Sequence, residues 1–157
     1  VEQHAPFPRL EAHDLTGAKR WLPDAFEGER NLVFVAFRRE QQAVIDSWTT
    51  WLEIAARVDI MSYEVPVLAR RWAPLRPMID GGMAAAIRDL GARRRTLTVY
   101  GDVRRVTDPL GITDRSSVWI FLVARGGAIL EVVTGGYDEA SAERLWLAAQ
   151  EGGAAER

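Results

Sequence analysis

Asn31-Leu32-Val33-Phe34-Val35-Ala36-Phe37 runs without a break into Arg38-Arg39-Glu40-Gln41-Gln42-Ala43-Val44. The first segment is an apolar run of strand length with no polar alternation. Such a run predicts a central strand buried on both faces of a sheet. Behind it the period changes. Val44, Trp48, Trp51, Leu52 and Ala55 fall on one face of a helix. A buried strand followed at once by an amphipathic helix is the opening of a β-α-β unit.

Downstream, Ile60 to Leu68 reads as a second strand, with Pro66 predicting an early end or an edge position. Residues 69–90 are interrupted by Trp72, Pro74, Pro77 and Gly81-Gly82. A short helix is expected from Met83 to Leu90, stopped by Gly91. Thr96 to Tyr100 is a third strand, and Asp102 to Leu110 a short helix or turn closed by Pro109 and Gly111. Ser117 to Val123 is a fourth strand, joined through the Arg125-Gly126-Gly127 turn to Ala128–Val133. Asp138 caps a last helix carrying Ala142, Leu145, Ala148 and Ala149.

Upstream, Leu10 to Leu15, the Thr16-Gly17 turn and Ala18 to Leu22 form an N-terminal hairpin. An early β-α-β followed by a terminal β-β-α predicts an α/β fold. Its central mixed β-sheet carries helices on both faces.

The 157 residues suit one domain, expected over 1–150, with 151–157 as a flexible C-terminal tail. A net charge of −2 gives no general pull toward nucleic acid or an anionic membrane. The clusters Arg70-Arg71, Arg93-Arg94-Arg95 and Arg104-Arg105 therefore read as solvated surface. No apolar run reaches membrane-span length. The sequence opens on Val1 without a signal pattern. It is expected to start inside the natural chain, and the cytoplasm is expected over export. Only His4 and His13 are present, both near the start, so no metal site is expected and no cofactor is implied.

The local sequence adds a resemblance. Ala5-Pro6-Phe7-Pro8-Arg9-Leu10, Asp14-Leu15-Thr16-Gly17, Leu22 and Phe26-Glu27-Gly28 together resemble the opening of peroxiredoxins and membrane-tethered thioredoxins. Phe121-Leu122-Val123-Ala124-Arg125-Gly126-Gly127-Ala128-Ile129 resembles the hairpin of the same thioredoxin-like superfamily. Phe37 to Gln42 and Met78-Ile79-Asp80-Gly81-Gly82-Met83 look like a cysteine-free bacterial branch. The latter stretch, with Tyr100-Gly101-Asp102, is also similar to the cysteine-poor assembly factor of the mitochondrial ATP synthase, which acts by binding a partner.

The resemblance implies a thioredoxin-like fold, and two departures from it bear on function. Redox members carry one or two cysteines near Gln41 to Val44, and this chain has none anywhere. Without a thiolate, thiol oxidoreductase and peroxidase chemistry are excluded. The family's cis-proline precedes the strand that begins near Val118, and here Ser116-Ser117-Val118 stands there. A trans peptide is expected, since a non-proline cis bond costs about 3 kcal/mol.

The expected site is the loop after the first core strand, where free helix N–H groups favour anions. Arg38 and Arg39 add guanidinium forks suited to an acidic group, and Glu40, Gln41, Gln42 and Ser117 add polar contacts. Asp80, Asp102 and Trp72 are secondary candidates. The plainer alternative pairs Arg38 with Glu40 or Asp46 and lets Gln41 and Gln42 merely begin a helix. No catalytic residue is assigned. Ser116 and Ser117 have no histidine in a partner position, and Asp102 and Asp114 read as surface carboxylates.

The expectation is a redox-inactive binding or assembly module for a small acidic ligand or a protein partner. A non-redox enzyme acting on a small acidic substrate and a ligand-free homodimer are the alternatives.

Overall fold

The computed structural model describes residues 5–69, 78–79 and 95–155. The N-terminal hairpin pairs β1 (Leu10–Asp14) with β2 (Lys19–Leu22) in antiparallel register, Leu10 opposite Leu22. Its turn is built by Asp14. The Asp14 Oδ1 atom accepts from the backbone N–H groups of Thr16 (2.9 Å) and Ala18 (3.1 Å), and Oδ2 accepts from Arg20 Nε at 3.1 Å. This is the side-chain-to-backbone pattern that makes aspartate a turn former.

The apolar run becomes β3 (Arg30–Ala36), buried along its whole length. It lies between β4 (Ile60–Ala69), which is parallel to it, and β6 (Trp119–Ala124), which is antiparallel. With β5 (Leu97–Gly101) and β7 (Ile129–Thr134), the seven-stranded sheet has the order β2-β1-β5-β4-β3-β6-β7.

Alternation along β3 divides the core. Val33 and Val35 face one side, with Tyr63, Val65, Phe121 and the helix α3 (Arg104–Leu110). Leu32, Phe34 and Ala36 face the other, against α1 (Gln42–Asp46), α2 (Thr49–Ala56) and α4 (Glu139–Ala155). The mixed sheet with helices on both faces is as expected. The Ser141 N–H and hydroxyl both donate to Asp138 Oδ2, so Asp138 caps α4 as read from the sequence. Among the described residues no helix is long and apolar enough to cross a membrane.

Two expectations are corrected. Pro66 neither ends β4 nor marks an edge, because β4 is central and continues to Ala69. Toward β5, the strand makes a bridge at Glu64–Thr96 and a ladder from Val67–Val99 onward, in one register. Pro66 falls in the gap between them: Glu64 N–H donates to Arg95 O toward β5, the next N–H on that side is the one Pro66 lacks, and the pairing with β3 carries the strand past it.

The single helix expected after β3 is two helices. At Ser47 and Trp48 the backbone tightens, and Trp48 N–H donates to Ile45 O three residues back at 3.0 Å. The Ser47 hydroxyl donates to Val44 O and accepts from Tyr137 N–H. The break seats Trp48 fully in the core, its indole Nε1 donating to Gly135 O at 3.1 Å. The helix expected from Met83 to Leu90 lies outside the described residues.

Candidate functional site

The chain leaves β3 at Phe37 and turns through a single 3-10 turn, Arg39–Gln41, into α1. Gln41 fixes that turn. Its side chain is buried, and Oε1 accepts from the N–H groups of Phe37 (2.7 Å) and Arg38 (3.1 Å). Its Nε2 donates to Arg115 O at 2.9 Å, across to the loop that precedes β6. The sequence placed Gln41 among the ligand-contacting groups and left the loop's N–H groups free for an anion. The structure instead ties the N–H groups of Phe37 and Arg38, which lead into the turn, to Gln41 itself. Gln41 positions the loop instead of facing the site.

With Gln41 turned inward, Arg38 and Arg39 are turned out. Both are exposed, and neither has an ion-pair partner among the described residues. The pairing of Arg38 with Glu40 or Asp46 is therefore not realised. Glu40 is exposed and does not line the cleft described next.

Arg38 and Arg39 stand at the mouth of a cleft of about 910 Å³. It opens at the carboxyl ends of the parallel pair β3 and β4, where open α/β sheets collect ligands. Phe34 and Ala36 of β3, Pro66 and Leu68 of β4 and Ile45 of α1 give it an apolar floor and wall, joined by Met78 and Ile79. Polar groups enter from α1 (Gln42, Asp46), β4 (Ser62, Glu64) and the start of β5 (Arg95, Thr96).

Glu64 escaped the sequence reading. It lies opposite Phe34 on a central strand and is half-buried. Gln42 Nε2 donates to Asp46 Oδ1 at 3.0 Å and reaches Glu64 Oε1 at 3.4 Å, linking the two carboxylates. Burial pushes the Glu64 carboxyl above its usual range. The Gln42 bond opposes this shift, the nearby Asp46 charge adds to it, and Arg95 opposes it. A signal was present. Ser62 and Glu64 are polar intrusions at alternate positions of a strand that otherwise reads as buried, and central parallel strands carry few of these.

The remaining candidates lie elsewhere. Ser117 donates from Oγ to Asp114 Oδ2 at 3.2 Å, within a loop where Ser116 also bonds Asp114 and Trp119 Nε1 donates to Asp114 O. The hydrogen bonds from Ser116 hold the Asp114 carboxyl below its usual range, with a smaller contribution from the Arg38 charge. Ser117 is not part of the cleft lining. The backbone there is trans, as expected: among the described residues the one cis peptide is Leu22–Pro23. Asp102 is exposed at the start of α3, where it accepts from Arg104 N–H and pairs with Arg104 Nε. Asp80 and Trp72 lie outside the described residues, and among the described residues no cluster of metal-ligating side chains occurs.

No family model matches the sequence, and no curated protein matches it. Solved structures do match. A thiol:disulfide interchange protein from Bacteroides sp. is similar with a TM-score of 0.60 and 17% identity, over 96% of this chain and 90% of that one. Peroxidoxin BcpB from Mycobacterium tuberculosis is similar with a TM-score of 0.59 and 15% identity, over 96% and 97%. The fold is thioredoxin-like. BsSco, a member of the Sco family of cytochrome c oxidase assembly proteins, has a TM-score of 0.59 and 12% identity, over 95% and 96%. The thioredoxin-like scaffold here carries no cysteine.

Proposed function

We propose that this chain is a redox-inactive binding module, in which Arg38 and Arg39 recognise an acidic group on a small molecule or a partner chain. The observation that carries this reading is a pair of guanidiniums without ion-pair partners among the described residues, standing at the mouth of a cleft at the carboxyl end of β3. A paired arginine is already satisfied, whereas an unpaired one offers a planar fork matched to a carboxylate or phosphate. The absence of any cysteine supports binding over thiol turnover.

A scaffold does not by itself give a function, and thioredoxin-like domains host several. That one similar structure belongs to a family of assembly proteins is compatible with a role that ends at binding. The cleft lining contains no serine–histidine or cysteine–histidine pair that would make it a nucleophilic enzyme among the described residues.

The test is a thermal melt of the wild type and of an Arg38→Ala/Arg39→Ala variant against carboxylic acids, phosphate, nucleotides and glutathione. A ligand at 100 times its Kd stabilises by about 2.7 kcal/mol. For a domain of this size that raises Tm by roughly 5–10 °C. The shift is expected with an acidic compound and is lost in the double variant. An equal shift in both proteins would show that the two arginines do not recognise the ligand.

A further inference from the structure

The cleft behind Arg38 and Arg39 is far more apolar than an anion site requires. Pro66, Leu68 and Ile79 form walls with apolar surface left to cover, over a floor of the buried core residues Phe34 and Ile45. Met78 stands at 75% exposure, an apolar side chain left in water beside an apolar surface. The volume of about 910 Å³ lies within the roughly 300–1,000 Å³ typical of small-molecule sites.

Charge limits the occupant. Among the described residues, Arg38, Arg39 and Arg95 face Asp46 and Glu64 across the same space, a formal excess of one positive charge. That balance fits one carboxylate and repels a polyanion, whose further charges would meet Asp46 and Glu64 in a partly desolvated site. Backbone donors point the same way. The N–H groups of Phe37 and Arg38, which lead into the turn, already donate to Gln41 Oε1 and are closed to a phosphate.

Resting on the reading of Arg38 and Arg39 as the anion-recognising pair, we infer that the ligand is an amphipathic monocarboxylic acid. Its carboxylate is held at the two guanidiniums, and its apolar body lies along Pro66, Leu68, Met78 and Ile79. The apolar body supplies affinity through burial, and the arginines set orientation and reject neutral analogues.

The test is isothermal titration of the intact chain with hexanoate, octanoate and decanoate below their micelle concentrations. Decanol, succinate, inorganic phosphate and an Asp/Glu-rich peptide are the comparison probes. Burial of each added CH2 predicts roughly fourfold tighter binding per carbon. Decanol is expected at least tenfold weaker than decanoate, and Arg38→Ala/Arg39→Ala is expected to lose at least tenfold for decanoate. Met78→Glu, at an exposed position that leaves the core untouched, should weaken decanoate severalfold and leave hexanoate less affected.

Affinity that stays flat with chain length, or succinate or phosphate binding more tightly than decanoate, would overturn the monocarboxylate inference and leave the arginine pair standing. So would tighter binding of the acidic peptide, which would make the ligand a partner chain. Binding of decanol equal to decanoate, unchanged by the double arginine variant, would overturn both readings. No binding by any probe would also overturn both, and a dimer by light scattering would then name a second copy as the occupant.

Discussion

Gln41 Nε2 donates to the carbonyl oxygen of Arg115 at 2.9 Å, joining two loops 74 residues apart in sequence. The same side chain accepts from the N–H groups of Phe37 and Arg38, so one amide closes the end of β3, starts α1 and anchors the approach to β6. Gln41→Ala removes partners from two backbone donors and one acceptor in a partly buried place. A loss of about 1–3 kcal/mol is expected by urea denaturation, with weaker acid binding because Arg38 and Arg39 lose their fixed mounting. Unchanged stability would mean that water replaces the amide without cost.

Trp48 tests the break between α1 and α2. Its indole is fully buried against Phe34, Trp51 and Tyr137, with ring centroids at 6.2, 5.5 and 5.4 Å. Trp48→Ala is expected to cost about 3–5 kcal/mol, through a cavity the sheet cannot close. Trp48→Phe keeps most of the contact but leaves Gly135 O without its donor, and should cost about 1–2 kcal/mol less than the alanine variant. Equal losses would place the energy in the hydrogen bond instead of the packing.

Glu64 gives the cleft a pH dependence. Among the described residues, the groups facing it are Gln42 and Asp46 of α1 and Arg95 just before β5, with Arg38 and Arg39 at the mouth. Because burial raises its folded-state pKa, the folded protein holds the proton more tightly than the unfolded chain. Stability therefore falls as pH rises from the unfolded value of about 4.3 through the higher folded one. Glu64→Gln keeps an acceptor for Gln42 and removes the charge. It should be more stable than wild type at pH 8, converge with it near pH 4, and bind a carboxylate more tightly at pH 8. Denaturation midpoints at the two pH values decide this, and a variant that is less stable at pH 8 would contradict it.

Asp14 carries the opposite sign. Burial alone would raise its pKa, but hydrogen bonds from Thr16, Arg20 and Ala18 outweigh it and hold the carboxyl below its usual range. Its contribution is present above the unfolded value of about 3.9 and is lost as pH falls through the lower folded value. Asp14→Asn should cost about 1–3 kcal/mol at pH 7. That difference should shrink in acid, well below pH 4. A difference that stays constant down to pH 2 would show that the carboxylate charge plays no part.

The fold was legible because its cues are local. The unbroken run from Leu32 to Phe37, the Thr16-Gly17 turn, the Gly126-Gly127 turn and the Asp138 cap each depend on a few neighbouring residues. Gly127 shows why such cues are reliable: its φ of 104° disfavours a side chain, and a Cβ there would meet Pro23 at 2.9 Å. The site was legible only in part, at Arg38 and Arg39. Glu64 and Arg95 reach the cleft from strands that the sequence does not place beside α1, and Gln41 was misread because its Nε2 partner is Arg115. Pro66 was misread because the strand is held past it by pairing with β3 and resumes pairing with β5 at Val67, which is a property of the assembled sheet.

The most direct test of the site is a two-dimensional amide NMR titration with decanoate, comparing wild type and Arg38→Ala/Arg39→Ala. Expected are shifts at the β3 end and α1 (36–46), at 62–68 on β4, at 78–79 and at 95–96, abolished in the double variant. Shifts centred on Arg20, Tyr63 and Leu97 on the opposite face of the sheet would contradict it, as would shifts around Asp114 to Ser117 or none at all.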